Sequence, residues 1–155
     1  MGKSFLVVNM RGMVNTPFDV RKTLENLNIE TRFRATILPD EPTYLGMLQK
    51  AKEHVAWCEA DPEIIKKILE KRGRLEGWKP LLLENVNGLG FESLDKLAAD
   101  LAEAKVNMQN LKGVKPSFAL SPPRGGFRRS TRRNYGQGGI LGANPDLTKI
   151  VEKML

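Results

Sequence analysis

Between Pro122 and Gly139 the chain reads PPRGGFRRSTRRNYGQGG, a stretch with five arginines and no acid. A guanidinium stays charged at physiological pH, pairs with phosphate oxygens through a planar fork, and stacks on nucleobases. Arg124, Arg128, Arg129, Arg132 and Arg133 therefore suit nucleic acid better than lysines placed for solubility would. Gly125, Gly126, Gly136, Gly138 and Gly139 let the backbone come close to a polynucleotide, Phe127 and Tyr135 offer faces for stacking, and Ser130 and Thr131 add hydroxyl donors. The chemistry these residues point to is recognition, not reaction. If about five phosphates are neutralised, log K falls against log salt with a slope of about −3.5 on single-stranded and about −4.5 on double-stranded nucleic acid.

The charge is concentrated along the sequence. The chain has 155 residues and a formal net charge of +7, yet Ala104 to Pro145 holds eight basic residues (Lys105, Lys112, Lys115 and the five arginines) and no acid. The rest carries 17 basic and 18 acidic residues. Clustered cations are what counterion release from a polyanion requires. The bland alternative is a solvated loop that is basic by chance, but chance charge runs are usually mixed in sign. A membrane-surface helix is disfavoured by the Gly and Pro content of the arm.

Other residue groupings support little chemistry. His54 and Cys58, the only histidine and cysteine, are four apart and would share a helix face. Two such ligands do not build a zinc site, and they read as partly buried structural residues. No metal and no cofactor is expected, and no catalytic residue is assigned. GLGF at Gly88 to Phe91 and GQGGILG at Gly136 to Gly142 lack the strand, helix and acidic partner of a dinucleotide site, so their glycines read as loop glycines. Asp40, Glu41, Asp61 and Glu63 stand at proline turns and helix starts, where carboxylates favour the helix dipole. Trp57 and Trp78 read as core or interface residues. Gly46 is anomalous inside a helix, where it costs about 1 kcal/mol relative to alanine. Either an outside group approaches there, or the helix packs closely on a strand.

The elements that must position the arm follow from periodicity. Ser4 to Met10 is a short apolar run that fits a central strand. Thr16 as N-cap, Pro17 at the first helical position and Asp19 open a helix with Phe18, Val20, Leu24 and Leu27 facing inward. Thr31 to Leu38 alternates as a strand with one wet, basic face carrying Arg32 and Arg34. A second helix places Leu45, Leu48 and Ala51 inward, and Val55 to Cys58 makes a third strand. Asp61 caps a helix bearing Ile64, Ile65, Ile68 and Leu69. Pro80 to Val86 reads as extended, Glu92 to Glu103 as helix and Phe118 to Leu120 as a short strand. The arm comes next as a long connection without structure of its own, and Asn144 and Pro145 open a last helix. A single cysteine points to a reducing compartment, hence the cytoplasm, and no segment reads as a signal peptide or membrane span.

These segments together resemble the large-subunit ribosomal protein family numbered thirty, in its longer archaeal and eukaryotic form. MRGMVNT and FDVRKTLENLNI match its first strand, basic turn and first helix. TILPDEPTYLGMLQKAKEHVAW resembles its second strand, Gly-Met-containing helix and third strand, and LSPPRGGFRR its C-terminal basic segment. Leu45 departs from the pattern, since the position before Gly-Met is often Arg. The resemblance implies an α+β fold: a ferredoxin-like-related core with a three-stranded antiparallel sheet in order 3-1-2 and two helices on one face, plus a mainly helical C-terminal extension. The expected division is a 1–59 RNA-binding core and a 60–155 extension whose basic arm spans about 122–139.

The resemblance also implies RNA contact for Arg11 and Gly12, for Gly46, Met47 and Lys50, and for Arg124 to Arg129 with Gly125, Gly126 and Phe127. Arg132, Arg133 and Tyr135 rest on the chemistry of the arm alone. The expected partner is large-subunit ribosomal RNA, with neighbouring ribosomal proteins beside it and neither membrane nor small-molecule substrate. Two other classes remain on the residues alone. A DNA-binding or chromatin-type module would need an element shaped for a groove, and a small enzyme on the same core would need a polar cluster.

Overall fold

The computed structural model describes residues 3–111 and 113–155. Met1, Gly2 and Lys112, which belong to the opening run and to the basic segment, lie outside the described residues. The chain forms β1 (Ser4–Asn9), α1 (Phe18–Asn26), β2 (Arg34–Pro39), α2 (Pro42–Lys50) and β3 (Val55–Glu59). It continues through α3 (Pro62–Arg72), α4 (Leu83–Gly88), α5 (Leu94–Ala102), β4 (Phe118–Ala119), β5 (Ser130–Asn134), β6 (Gly139–Ala143) and α6 (Leu147–Met154).

All six strands form one sheet in the order β4-β2-β1-β3-β6-β5. This corrects the expected three-stranded sheet of order 3-1-2. β1 does lie between β2 and β3 and is antiparallel to both, but the extension adds β4 outside β2 and β6 and β5 outside β3. The reason is physical: β2 and β3 alone would leave unpaired backbone edges, and the later segment covers them.

The alternation of β1 explains the two layers. Leu6 and Val8 point to one face, where Ile37, Ala35, Ala56 and Cys58 from the flanking strands join them beneath the buried stripes of α3, α5 and α6. Val7 points to the other, with Leu38 and Trp57, against Leu24 and Leu27 of the first helix and Leu48 and Ala51 of the second. The expected pair of helices thus covers one face, and the extension covers the other. Each fully buried Leu or Ile contributes on the order of 1.5–3 kcal/mol, so losing either layer would expose the central strands.

Several local expectations are corrected. Thr16 does not cap α1: Pro17 stands at that position without a side-chain bond, and the Thr16 hydroxyl points back to the Gly12 carbonyl. Phe18, expected inward, is 76% exposed. The wet face expected for this strand holds at Arg32, which is exposed, and in part at Arg34, which is half-buried, but it is covered at Thr36, which is buried and donates to the Pro116 carbonyl at 2.8 Å. Pro80 forms an isolated bridge with Arg74, but from Leu83 the segment is helical rather than extended. Asp61 does cap α3, accepting from the Glu63 N–H at 3.3 Å.

The arm is corrected too. Ser130–Asn134 is β5, and Gly139–Ala143, read as loop glycines, is β6. Gly139 is small for a reason: a Cβ there would overlap the Arg133 backbone. Asn144 is buried and holds the start of α6, donating to the Ile140 carbonyl at 3.1 Å and accepting from the Asp146 N–H at 2.9 Å.

Candidate nucleic-acid interface

The registers bring one end of the sheet together. β1 ends where its antiparallel neighbours β2 and β3 begin, and β6 and β5 start at that end too, because β6 is parallel to β3 and β5 to β6. β4, antiparallel to β2, finishes there. The arm therefore leaves one edge of the sheet and re-enters at the other by crossing this end. Its path is fixed by backbone bonds. Leu120 N–H donates to the Phe33 carbonyl at 3.0 Å, Ser121 N–H to Met154 at 3.0 Å and Arg124 N–H to Lys153 at 3.1 Å. Gly125 and Gly126, with φ of +80° and +73°, turn the chain as only glycine does at low cost. Phe127 then packs on Phe33 with ring centroids 6.0 Å apart.

The side chains that follow are left free. Arg124, Arg128, Arg129, Arg132 and Arg133 are all exposed. The four ion pairs among the described residues all use lysine, Lys3–Glu59, Lys66–Asp95, Lys67–Glu152 and Lys105–Glu103, so no arginine of the arm is neutralised by a carboxylate there. Arg129 lies over the Tyr135 ring at 4.6 Å, and the Tyr135 hydroxyl donates to the Asp146 carboxylate at 2.9 Å. Tyr135 thus anchors the arm to the start of α6 and presents Arg129 outward, in addition to whatever stacking face it offers.

Arg11 and Gly12 sit on the same end, in a turn built by one residue that sequence reasoning missed. Asn9 is fully buried. Its side-chain amide donates to the Ile29 carbonyl at 2.7 Å, while its oxygen accepts from the backbone N–H groups of Arg11 at 3.1 Å and Gly12 at 2.9 Å. Gly12 has φ +77°. Arg11 is exposed and reaches the Glu53 carbonyl at 3.3 Å. Arg32 donates from Nε to the Met10 carbonyl at 3.2 Å and lies 4.6 Å over the Phe33 ring. Arg11, Arg32 and Phe127 are thereby drawn to one surface. The signal for Asn9 was present in the sequence: a lone Asn near the end of an apolar run, with Arg11-Gly12 two and three residues on, is an Asx-turn pattern.

Next to Arg11, His54 is buried and its Nδ1 has no hydrogen-bond partner among the described residues. Burial pushes its pKa below the ordinary value, and the Arg11 charge pushes the same way. An unfolded histidine takes up its proton near pH 6.5, whereas the folded one resists. Stability from this group is therefore complete above about pH 6.5 and declines as the pH falls below it. Urea unfolding at pH 7.5 and 5.5 should show a smaller acid loss for His54→Gln than for the unaltered chain; equal losses would remove His54 as the cause. His54 lies in the turn before β3 and Cys58 within it, so the two do not share a helix. Burial pushes the Cys58 thiol up to about 11, so it stays protonated and unreactive. Among the described residues no cluster of three or more His, Cys, Asp or Glu could hold a metal, and no helix is long and apolar enough to cross a membrane.

α2 runs towards the same end of the sheet. Lys50 is exposed in its last turn, and Gln49 and Lys52 line a groove with Asn134, Tyr135 and Gly136. Gly46 and Met47 lie one turn further back. Gly46 is exposed and a Cβ there would meet nothing within 4 Å, so close packing on a strand is not what selects glycine. Met47 is half-buried against the core below. The structure thus gathers Arg11, Gly12, Lys50 and the arm around one end, and leaves Gly46 and Met47 on the adjoining helix face.

Comparison with known proteins identifies the chain's family. The family model described as ribosomal protein L30p/L7e matches residues 5–55, from β1 to the start of β3. A large ribosomal subunit protein uL30 from Nitrosopumilus maritimus is 43% identical over 155 residues, covering all of both chains. That of Cenarchaeum symbiosum is 40% identical, again over the full length of both. That of Staphylothermus marinus is 38% identical over 97% of this chain and 98% of its own. Identity at this level over nearly the whole of each chain has one reading: the chain belongs to the L30p/L7e family of ribosomal proteins.

Proposed function

We infer that this protein is a structural constituent of the large ribosomal subunit, which binds and stabilises large-subunit ribosomal RNA in the cytoplasm and so supports translation. The observation that carries the reading is the arm itself: five exposed arginines without carboxylate partners among the described residues, strung across the end of a sheet that also presents Arg11. Uncompensated cations on a fixed backbone lose little entropy on meeting phosphate, and each neutralised phosphate releases counterion. The protein's product is a stabilised RNA arrangement, and it performs no reaction.

In this reading the division at residue 59 separates two tasks. The 1–59 unit supplies the Arg11–Gly12 turn and the α2 face with Gly46, Met47 and Lys50, and the 60–155 extension supplies Arg124 to Arg129, Arg132, Arg133 and Tyr135. Neighbouring ribosomal proteins complete the surroundings. A DNA-binding role finds no support beside relatives that are all named as large ribosomal subunit proteins.

Sedimentation of cell lysate tests the assignment. At low salt the chain should travel with the large subunit, and a high-salt wash should release it progressively, because screening weakens each phosphate contact. A chain that stays at the top of the gradient at low salt would overturn the assignment.

A further inference from the structure

Residues 74–80, outside the arm, form a tight hairpin. Leu75 N–H donates to the Lys79 carbonyl at 2.7 Å, Trp78 N–H to Leu75 at 3.0 Å, and Arg74 bridges Pro80. A second set of bonds pins the hairpin to the segment before β4: Lys115 N–H donates to the Arg74 carbonyl at 2.9 Å and Glu76 N–H to Gly113 at 3.1 Å. Held on both sides, the chain takes left-handed φ at Gly77 (+81°) and at Trp78 (+65°), which is unfavourable for an aromatic residue. The outcome is an indole that is 53% exposed. The other tryptophan, Trp57, is in the core.

Two cations converge on that indole. The Arg34 guanidinium carbon is 5.3 Å and the Lys115 ammonium 5.4 Å from the ring centroid. Arg34 projects from the first residue of β2, beside the sheet end, and is steadied by the Ser117 hydroxyl at 3.4 Å. Neither cation is ion-paired among the described residues. The cleft they line with Trp78 also holds Asn28 and one carboxylate, Glu30. Net attraction for phosphate is therefore modest, and most of any affinity must come from the ring.

An exposed indole with two positive groups within reach of it matches one kind of ligand: a flat π-system joined to a negative charge a few ångströms away. Stacking on aromatic side chains combined with backbone cations is how single-stranded nucleic acid is held. We propose that Trp78, Arg34 and Lys115 form a second RNA site, distinct from the arm, that takes one unpaired nucleotide of the bound RNA. The base stacks on the indole where Lys115 now lies. Lys115, on its flexible stem, swings outward with Arg34 to the phosphate. The proposal rests on the RNA-binding reading above and adds to it a preference for an unpaired segment at the β2–β4 edge.

Fluorescence titration of the full chain with a single-stranded octa-adenylate, and with an eight-base-pair RNA duplex at the same salt, tests this directly. Trp57 is buried but lines the groove between α2 and the arm, so quenching that disappears in Trp78→Phe is what reports Trp78. The octa-adenylate should quench and the duplex should not. Trp78→Ala should weaken octa-adenylate binding about tenfold or more, while Trp78→Phe, which keeps a stacking face, retains most of the affinity. Binding without quenching, together with unchanged affinity in Trp78→Ala, would overturn the site while leaving the arm's role intact. If alanines at Arg128, Arg129, Arg132 and Arg133 also left RNA binding unchanged, the RNA-binding reading would fall with it. Trp78 is half-exposed, so its loss should not unfold the chain, and Trp78→Phe serves as both the quenching control and the conservative replacement.

Discussion

Replacing Arg128, Arg129, Arg132 and Arg133 together with alanine should flatten the salt dependence of RNA binding by about three to four units in the slope of log K against log salt. The estimate assumes one phosphate per guanidinium. Filter binding or fluorescence anisotropy of a labelled large-subunit RNA fragment, from 50 to 200 mM salt, measures it. Five neutralised phosphates make the unaltered chain lose roughly two to three decades of affinity over that range, and the variant should lose only the part due to its remaining cations. An unchanged slope would mean that the arm does not meet phosphate.

The effect is expected to be specific because these side chains support so little of the fold. All four are exposed, and none joins an ion pair among the described residues. Only Arg129 touches an aromatic ring, that of Tyr135, a contact worth about 0.5–1 kcal/mol at an exposed site. The arm's course is set elsewhere, by the backbone bonds of Leu120, Ser121 and Arg124 and by Phe127 on Phe33. A urea melt of the variant should therefore stay within about 1 kcal/mol of the unaltered chain, separating lost binding from lost folding.

What the sequence revealed and what it hid differ in a physical way. The β1-α1-β2-α2-β3 run was legible because each element carries its own period: Leu6 and Val8 against Val7, or Leu48 and Ala51 on one helical face. β5 and β6 were not. Ser-Thr-Arg-Arg-Asn has no apolar alternation since it is an exposed edge strand, and Gly-Ile-Leu-Gly-Ala looks like a loop until Ala56 and Trp57 of β3 are seen to pair with Gly142 and Ala143. Such strands are defined by partners far away in sequence, which local pattern does not encode. The candidate site divides in the same manner. The arginines announced themselves by type and clustering. Phe33, with φ +64°, and Arg32 acquire their places only once β2 and the arm are brought to the same sheet end. Trp57 is buried and Trp78 half-exposed, a difference between core and surface that two tryptophans in a chain do not announce.

Asn9 carries the second large effect. Asn9→Leu keeps the branched shape but removes one donated and two accepted hydrogen bonds, leaving the Ile29 carbonyl and the Arg11 and Gly12 N–H groups without that partner. A buried group left unsatisfied costs about 1–3 kcal/mol. Arg11 is partly open to water, so the sum should fall at about 3–5 kcal/mol in a urea melt; a loss under about 1 kcal/mol would show that the turn does not depend on Asn9. Such a loss would also confound any binding assay, and Gly12→Ala separates the two roles. Its φ of +77° makes alanine cost about 1–2 kcal/mol, small enough to leave the chain folded while distorting the turn that aims Arg11. If the purpose of the turn is to present Arg11, then Gly12→Ala and Arg11→Ala should weaken RNA binding by similar factors, and the double variant should weaken it no further. Additive losses would instead mean that Gly12 meets RNA through its own backbone, because two residues acting through one contact cannot be lost twice.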